Sequence, residues 1–119
     1  MKKDKTAQKR KQRKRLFNAP KHKRKKDMSV SLEATLKKKY GKRNTPIRKG
    51  DKVKVLRGNY KGHTDEVTKV NTKAYKVYVK GVVNKKSNGE DVERPVHPSN
   101  LMITELNTED AKRVKALTR

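Results

Sequence analysis

The central part of the chain reads Arg48-Lys49-Gly50-Asp51-Lys52-Val53-Lys54-Val55-Leu56-Arg57-Gly58-Asn59-Tyr60-Lys61-Gly62. Val53 and Val55 alternate with Lys52 and Lys54, which is the two-residue period of a half-buried β-strand. The residues at 57–62 form a polar cluster bounded by two glycines, a pattern that ends a strand in a turn. This part of the sequence therefore predicts a strand followed by a tight, basic loop.

Downstream residues repeat the strand pattern. The spacing of Val67 and Val70 is interrupted, which predicts a bulge, and the segment 85–89 ends in Asn-Gly, a strong hairpin-turn signal. Five short strands between residues 47 and 106 predict a mainly β fold, a small antiparallel barrel. Its expected core consists of Val53, Val55, Val67, Val70, Val77, Val79, Val92, Leu101 and Ile103.

Two short helices are expected beside the strands. Apolar residues recur at four-residue spacing between Ser31 and Tyr40, with Ser31 as a cap and Gly41 as the stop. This narrow apolar stripe is expected to dock on the domain, with docking on a partner as the alternative. At the end of the chain, Thr108 to Asp110 can cap a terminal helix.

Composition narrows the class of protein. The 119 residues include 36 Lys plus Arg and 12 Asp plus Glu, a net charge of +24, with 29% hydrophobic residues and no Cys. No apolar run is long enough for a membrane span or a secretory signal, and disulfides, thiolate metal sites and a Cys nucleophile are excluded. So strong a positive charge favours a polyanionic partner. Nucleic acid is the leading candidate, and an anionic membrane surface is the weaker one.

The charge is concentrated at the N-terminus, where residues 1–28 carry 14 Lys/Arg and two Asp. Such a segment has too few apolar residues to fold alone, so we expect a disordered arm that becomes ordered on binding. The predicted organisation is a basic nucleic-acid-binding arm at 1–28, a short helix and linker at 29–46, the barrel at 47–106 and a C-terminal helix at 107–119.

Candidate nucleic-acid-binding residues are cations, loop glycines, and polar or aromatic side chains that can contact phosphates, hydroxyls and bases. They are Lys9, Arg10, Lys11, Arg13, Lys14, Arg15, Phe17, Lys21, His22, Lys23, Arg24, Lys25, Lys26, Arg43, Arg48, Lys49, Lys52, Arg57, Gly58, Asn59, Tyr60, Lys61, Gly62, Lys85 and Lys86.

Structural alternatives remain open for part of this set. The two loop glycines can serve turn geometry alone, and Tyr60 can pack on the barrel. Arg48, Lys49 and Lys52 can form a solvated edge, and the 85–89 tip can be an exposed polar turn.

No catalytic constellation is visible. His22, His63 and His97 lie in separate segments without metal-ligand spacing. The acidic cluster at 90–93 lacks the shielded pocket that acid–base chemistry needs. We therefore expect no enzyme activity, no metal and no cofactor.

The central segment resembles a KOW motif, in its Lys49-Gly50-Asp51 turn, alternating strand and Lys61-Gly62 loop end. Flanking segments resemble the archaeal and eukaryotic branch of the universal large-subunit ribosomal protein L-twenty-four family, whose eukaryotic member is called L-twenty-six. They are Arg15-Leu16-Phe17-Asn18-Ala19-Pro20, Met28-Ser29, Lys39-Tyr40-Gly41, Pro46-Ile47-Arg48 and His97-Pro98-Ser99-Asn100. The resemblance covers about residues 13–106. One departure is Asp65, which stands where many KOW motifs have a further glycine.

The resemblance implies an SH3-like barrel and a structural role in the large ribosomal subunit, in the cytoplasm. It also implies binding to the 5′ domain of the large-subunit rRNA, an early role in subunit assembly, a place near the peptide exit tunnel and an archaeal source. Expected partners are rRNA, neighbouring large-subunit proteins and factors at the tunnel exit; no homo-oligomer is expected. The alternatives are a transcription-associated KOW protein that contacts polymerase and a chromatin-compacting protein.

The arm is expected to supply most of the salt-sensitive affinity. Each neutralised phosphate steepens the log–log salt dependence of binding by about 0.7–0.9. Deleting residues 1–28 should therefore flatten the slope by several units in a titration of rRNA binding against salt. An unchanged slope would refute this role.

Overall fold

The computed structural model describes residues 6–119; the first five residues of the expected arm lie outside the described residues. Helices and strands contribute nearly equal numbers of residues. The elements are α1 (Lys9–Asn18), α2 (Lys21–Asp27), β1 (Ser29–Leu32), α3 (Ala34–Tyr40), β2 (Asn44–Pro46), β3 (Lys52–Val55), β4 (Thr64–Asn71), β5 (Lys76–Val79), β6 (Val83–Lys85), β7 (Asp91–Glu93), β8 (Leu101–Glu105) and α4 (Ala111–Thr118), with a 3₁₀ turn at Pro98–Asn100.

Six strands form one sheet in the order β2-β1-β8-β3-β4-β5, and β6 pairs with β7 as a separate hairpin. β1 runs parallel to β8, whereas the other neighbouring strands are antiparallel. The expected bulge lies in β4, where the register with β5 shifts between Val67 and Lys69.

The prediction of a mainly β, closed antiparallel barrel is wrong in two respects. Helices contribute about as much as strands, and the strands form a small open mixed sheet. The stretch expected as a short helix and linker also supplies β1 and β2. Its alternating Ser29-Val30-Ser31-Leu32 segment buries Val30 and Leu32 on the core side, which draws it into the sheet.

Seven of the nine expected core residues are buried. Val70 is only partly buried against the core, and Val92 is 38% exposed because the β6–β7 hairpin stands apart from the main sheet. Five further residues belong to the core. Met28, Val30 and Leu32 precede the expected barrel, and Ile47 and Val82 lie in its irregular segments. The deletion of residues 1–28 would therefore remove a core methionine together with the arm.

The helices match the sequence patterns in part. α3 begins at Ala34, because Ser31 and Leu32 belong to β1, and it ends at Gly41, which adopts a left-handed conformation with φ of 67°. Leu36 packs against the core, so the helix docks on its own domain. α4 is capped as predicted, since the Asp110 side chain accepts a hydrogen bond from the Lys112 backbone N–H.

The basic arm, expected to lack structure alone, forms α1 and α2. Neither helix buries a residue. Their helical conformation reflects the many Lys, Arg and Gln residues, which are good helix formers.

A buried ion pair joins the turn before β3 to the C-terminal helix α4. Asp51, fully buried, accepts hydrogen bonds from both terminal nitrogens of Arg113 in α4, at 2.5 and 2.6 Å. Its oxygens also accept the backbone N–H groups of Arg48 (3.0 Å) and Asn107 (2.9 Å). Arg113 in turn donates to the carbonyl oxygens of Asn107 and Pro46. One carboxylate therefore fixes the turn before β3, the chain after β8 and the terminal helix.

Replacing Asp51 with Asn should strongly destabilise the fold, because the Arg113 charge would stay buried without its partner. Breaking one side of a buried pair typically costs about 3–5 kcal/mol in free energy of unfolding. The matched control is Glu105→Gln, which removes the same charge from the exposed Lys52–Glu105 pair and should cost at most about 1 kcal/mol. Urea unfolding of both variants gives the comparison, and equal losses would contradict this role of Asp51.

Candidate nucleic-acid interface

The 57–62 loop is a tight turn closed by its own backbone. The Val55 N–H donates to the His63 carbonyl and the Gly62 N–H to the Val55 carbonyl, at 2.9 and 2.8 Å. Within the loop, the Lys61 N–H donates to the Gly58 carbonyl. The side chains of Arg57, Asn59 and Lys61 are exposed around this turn. The sheet therefore presents two cations and one carboxamide on a fixed backbone.

The two loop glycines are explained by backbone conformation. Gly58 and Gly62 have φ of 92° and 88°, in the left-handed region that side chains disfavour. A Cβ built on either residue would meet nothing within 4 Å. Turn geometry is thus sufficient to account for both glycines, and the open space beside them leaves room for a backbone or phosphate to approach.

Tyr60 packs partly against the core, as the structural alternative proposed. Its hydroxyl donates a hydrogen bond to the Val83 carbonyl in β6. The ring meets His63 edge to face, with centroids 6.2 Å apart. The ring therefore links the loop to the base of the β6–β7 hairpin, where the candidates Lys85 and Lys86 lie exposed.

A second group of candidate residues lies at the start of β3, whereas the 57–62 loop follows the end of that strand. Arg48, Lys49 and Lys52 precede or begin the strand, whereas Arg57 follows its end. Four strand residues span roughly 13 Å at the usual rise. The structure thus separates the central motif into two basic ends instead of one continuous patch.

Two of the three cations at the start of β3, Arg48 and Lys52, have intramolecular acidic partners. Lys52 lies 3.3 Å from Glu105, and Arg48 donates to the exposed Asp110 carboxylate. The Arg48 hydrogen bond, with the Lys112 backbone N–H, lowers the pKa of Asp110. This carboxylate therefore remains ionised and paired with Arg48 down to a more acidic pH than a free aspartate. Lys49 is exposed.

The arm is attached to the sheet through Arg24. Its guanidinium lies 5.2 Å from the centre of the Tyr75 ring and donates to the carbonyl oxygens of Lys73 (2.7 Å), Ala19 (2.8 Å) and Phe17. The Tyr75 hydroxyl donates to the Leu16 carbonyl at 2.6 Å. Arg24 therefore holds the α1–α2 junction against the β4–β5 turn, and its role as an RNA ligand stays a prediction.

The other arm candidates point outward. Among residues 6–119, Phe17 is the most exposed large apolar side chain, with 66% of its surface accessible. The candidates that surround it are exposed on α1 and α2 except Lys23, which is half-buried. The remaining candidate, Arg43, is exposed between α3 and β2.

A cleft beside the loop contains residues that sequence reasoning missed. Its volume is about 390 Å³, and it is lined by Arg57, Asn59 and Tyr60 together with Lys76, Arg94, His97 and Asn100. The last four come from distant parts of the chain, so no local motif could have grouped them. Among residues 6–119, no cluster of three or more side chains suited to hold a metal ion occurs.

The exposed cationic helices and the glycine-bounded basic loop are features of structural nucleic-acid-binding proteins. Within residues 6–119, no helix is long and apolar enough to cross a membrane. The chain belongs to the family of ribosomal proteins described as L-twenty-six in eukaryotes and L-twenty-four-P in archaea, whose model matches residues 6–119. It is therefore a structural protein of the large ribosomal subunit in the cytoplasm, with ribosomal RNA and ribosomal proteins as partners, and not an enzyme. Its archaeal source stays a prediction.

Tyr60→Phe should destabilise the fold by about 1 kcal/mol, because the Val83 carbonyl loses its hydrogen-bond donor. Tyr78→Phe is the matched control, since the Tyr78 hydroxyl donates to no residue among 6–119. Urea unfolding midpoints of the two variants measure the difference. Identical midpoints would show that the hydroxyl does not anchor the loop.

Proposed function

We propose that this chain binds the large-subunit rRNA, in its 5′ domain, through two separate basic surfaces. The first, the arm surface, consists of the exposed side chains of α1 and α2. The second, the loop surface, consists of the 57–62 loop with Lys85 and Lys86. The resemblance to KOW-containing ribosomal proteins supports this division. Arg43, Arg48, Lys49 and Lys52 lie outside the two surfaces as defined, and RNA contact by these four residues is a further part of the proposal.

The observation that carries the proposal is that α1 and α2 are mostly cationic and bury no apolar face, since Leu16 and Phe17, their two large apolar residues, are exposed. They hold 11 Lys/Arg in 17 residues with a single acidic residue, Asp27, and neither buries a side chain. Like charges at helical neighbour positions repel, and a helix that is polar all round gains little from packing. Phosphate groups remove that repulsion, so a polyanion is the partner that best accounts for these helices.

The loop surface suits RNA for a different reason. A-form RNA exposes its phosphates and 2′-hydroxyls, whereas its base edges lie in a deep, narrow groove. Arg57 and Lys61 can contact phosphates while Asn59 reaches a hydroxyl or an unpaired base. The space beside Gly58 and Gly62 lets RNA approach the backbone without a side chain in the way.

The arm surface also supports a role in assembly. A cationic segment that neutralises closely packed RNA helices must be in place before those helices come together. We therefore infer that the protein joins the large subunit early. The place near the peptide exit tunnel and contacts of the β6–β7 hairpin with neighbouring proteins and tunnel-exit factors follow from the family resemblance and belong to this proposal.

The test compares the arm with an equal number of cations elsewhere. One variant replaces the six basic residues of α1 with Gln, which leaves the Arg24 contacts and the core Met28 intact. The control replaces six exposed basic residues outside both surfaces with Gln: Lys37, Lys38, Lys39, Lys112, Lys115 and Arg119. Affinity for a transcript of the rRNA 5′ domain is measured over a range of salt concentrations.

The α1 variant should flatten the log–log salt slope by roughly 4–5 units if all six residues contact phosphates. The control slope should change by much less. If the two variants lose the same amount, the arm surface is not a specific binding surface, and the effect reflects net charge alone.

A further inference from the structure

The cleft beside the 57–62 loop has walls built from distant segments. The loop forms one wall, the irregular stretch 94–97 forms the second, and Lys76 in β5 and Asn100 in the 3₁₀ turn complete it. Its volume of about 390 Å³ falls in the range of about 300–1,000 Å³ that is typical of small-ligand sites. The cleft is thus large enough for a small ligand but too small for an RNA helix.

The lining combines an apolar floor with a cationic rim. Val55 and Val82 are buried beneath the cleft, with Pro95 and Val96 beside them. Arg57, Lys76 and Arg94 contribute three positive charges, and among the described residues that line the cleft none is acidic. A ligand that matches this lining has a flat apolar face and a negative group.

Uncharged polar side chains also line the cleft. Asn59 and Asn100 each offer a carboxamide, which both donates and accepts hydrogen bonds. His97 adds an imidazole whose Nδ1 is already held by Ser99, at 2.8 Å from Oγ and 3.2 Å from the backbone nitrogen. Carboxamide groups of this kind suit the edges of a nucleobase.

The walls are held in place by the fold. The Tyr60 hydroxyl is tied to the Val83 carbonyl, and the Leu56 N–H donates to the Asn100 carbonyl at 2.8 Å. Arg94 and Val96 are fixed by backbone hydrogen bonds to Val82 and Val77, at 3.1 and 2.8 Å. A ligand therefore meets a preformed site and does not have to order it.

We propose that this cleft receives one unstacked nucleotide of an RNA strand. The base lies on the apolar floor beside the Tyr60 ring, its edge meets Asn59 and Asn100, and its phosphate meets Arg57 and Arg94. Unpaired RNA bases are commonly bound in this way, by aromatic stacking and edge contacts. The inference rests on the proposed rRNA binding and adds a specific requirement, namely a bulged or looped-out nucleotide.

The test uses the full chain and two RNA hairpins of equal length, one fully paired and one with a single bulged 2-aminopurine. The bulged hairpin should bind about tenfold more tightly, because this ratio corresponds to the binding free energy gained by stacking one base. Asn100→Phe fills the cleft and should abolish this preference. Asn84→Phe, on the exposed face of β6, should retain it.

A second pair of variants keeps the test independent of folding defects. Arg94→Gln should reduce the preference for the bulged hairpin several-fold, whereas Lys115→Gln on α4 should leave it unchanged. Thermal unfolding confirms that each variant is folded. If Arg94→Gln and Lys115→Gln behave alike, the rim does not bind the nucleotide and the proposal is wrong.

The remaining outcomes separate this inference from the proposed function. Salt-dependent binding to both hairpins without a preference would overturn the cleft proposal and leave rRNA binding intact. No binding to either hairpin, nor to the rRNA transcript, would overturn both.

Discussion

The hydrogen-bonded pair of Asp51 and Arg113 is the constraint on which the sheet domain depends. A carboxylate without solvent access needs a cation and further donors, and four N–H groups supply them from three segments. The pair thereby fixes where β3 begins and where α4 lies. Because β3 is short and rigid, its start also determines where the 57–62 loop emerges at the other end.

Three further carboxylates of the domain also contact other groups of the chain. Asp110 accepts from Arg48 and caps α4, and Glu105 lies beside Lys52. Asp65 lies 4.0 Å from His63. These carboxylates contact the chain's own cations and backbone, whereas α1, α2 and the 57–62 loop are left with uncompensated positive charge. Residues 1–28 hold half of the net charge of +24, and in the described part of this segment the charge lies on two helices that bury no residue.

Much of the local structure could be predicted from sequence, because its causes are local. The alternation at Val53 and Val55, the interrupted spacing in β4 and the capping of α4 each depend on a few neighbouring residues. The closed barrel was wrong because β1 finds its partner in the distant β8, and a parallel pairing leaves no turn signal. No local pattern marks Arg113 as buried, because its burial depends on the distant carboxylate of Asp51. The loop surface was visible as a motif, whereas the cleft brings together residues of β5, the 94–97 stretch and the 3₁₀ turn that share no local pattern.

The place of β8 within the sheet has a consequence for the biogenesis of this protein. β8 lies between β1 and β3, although it is the last strand of the described chain to be synthesised. During translation, β1 therefore has β2 as a partner but lacks its other neighbour, β8, until residues 101–105 have left the ribosome. Completion of the sheet, and with it burial of Val30 and Leu32, consequently waits until β8 has been synthesised.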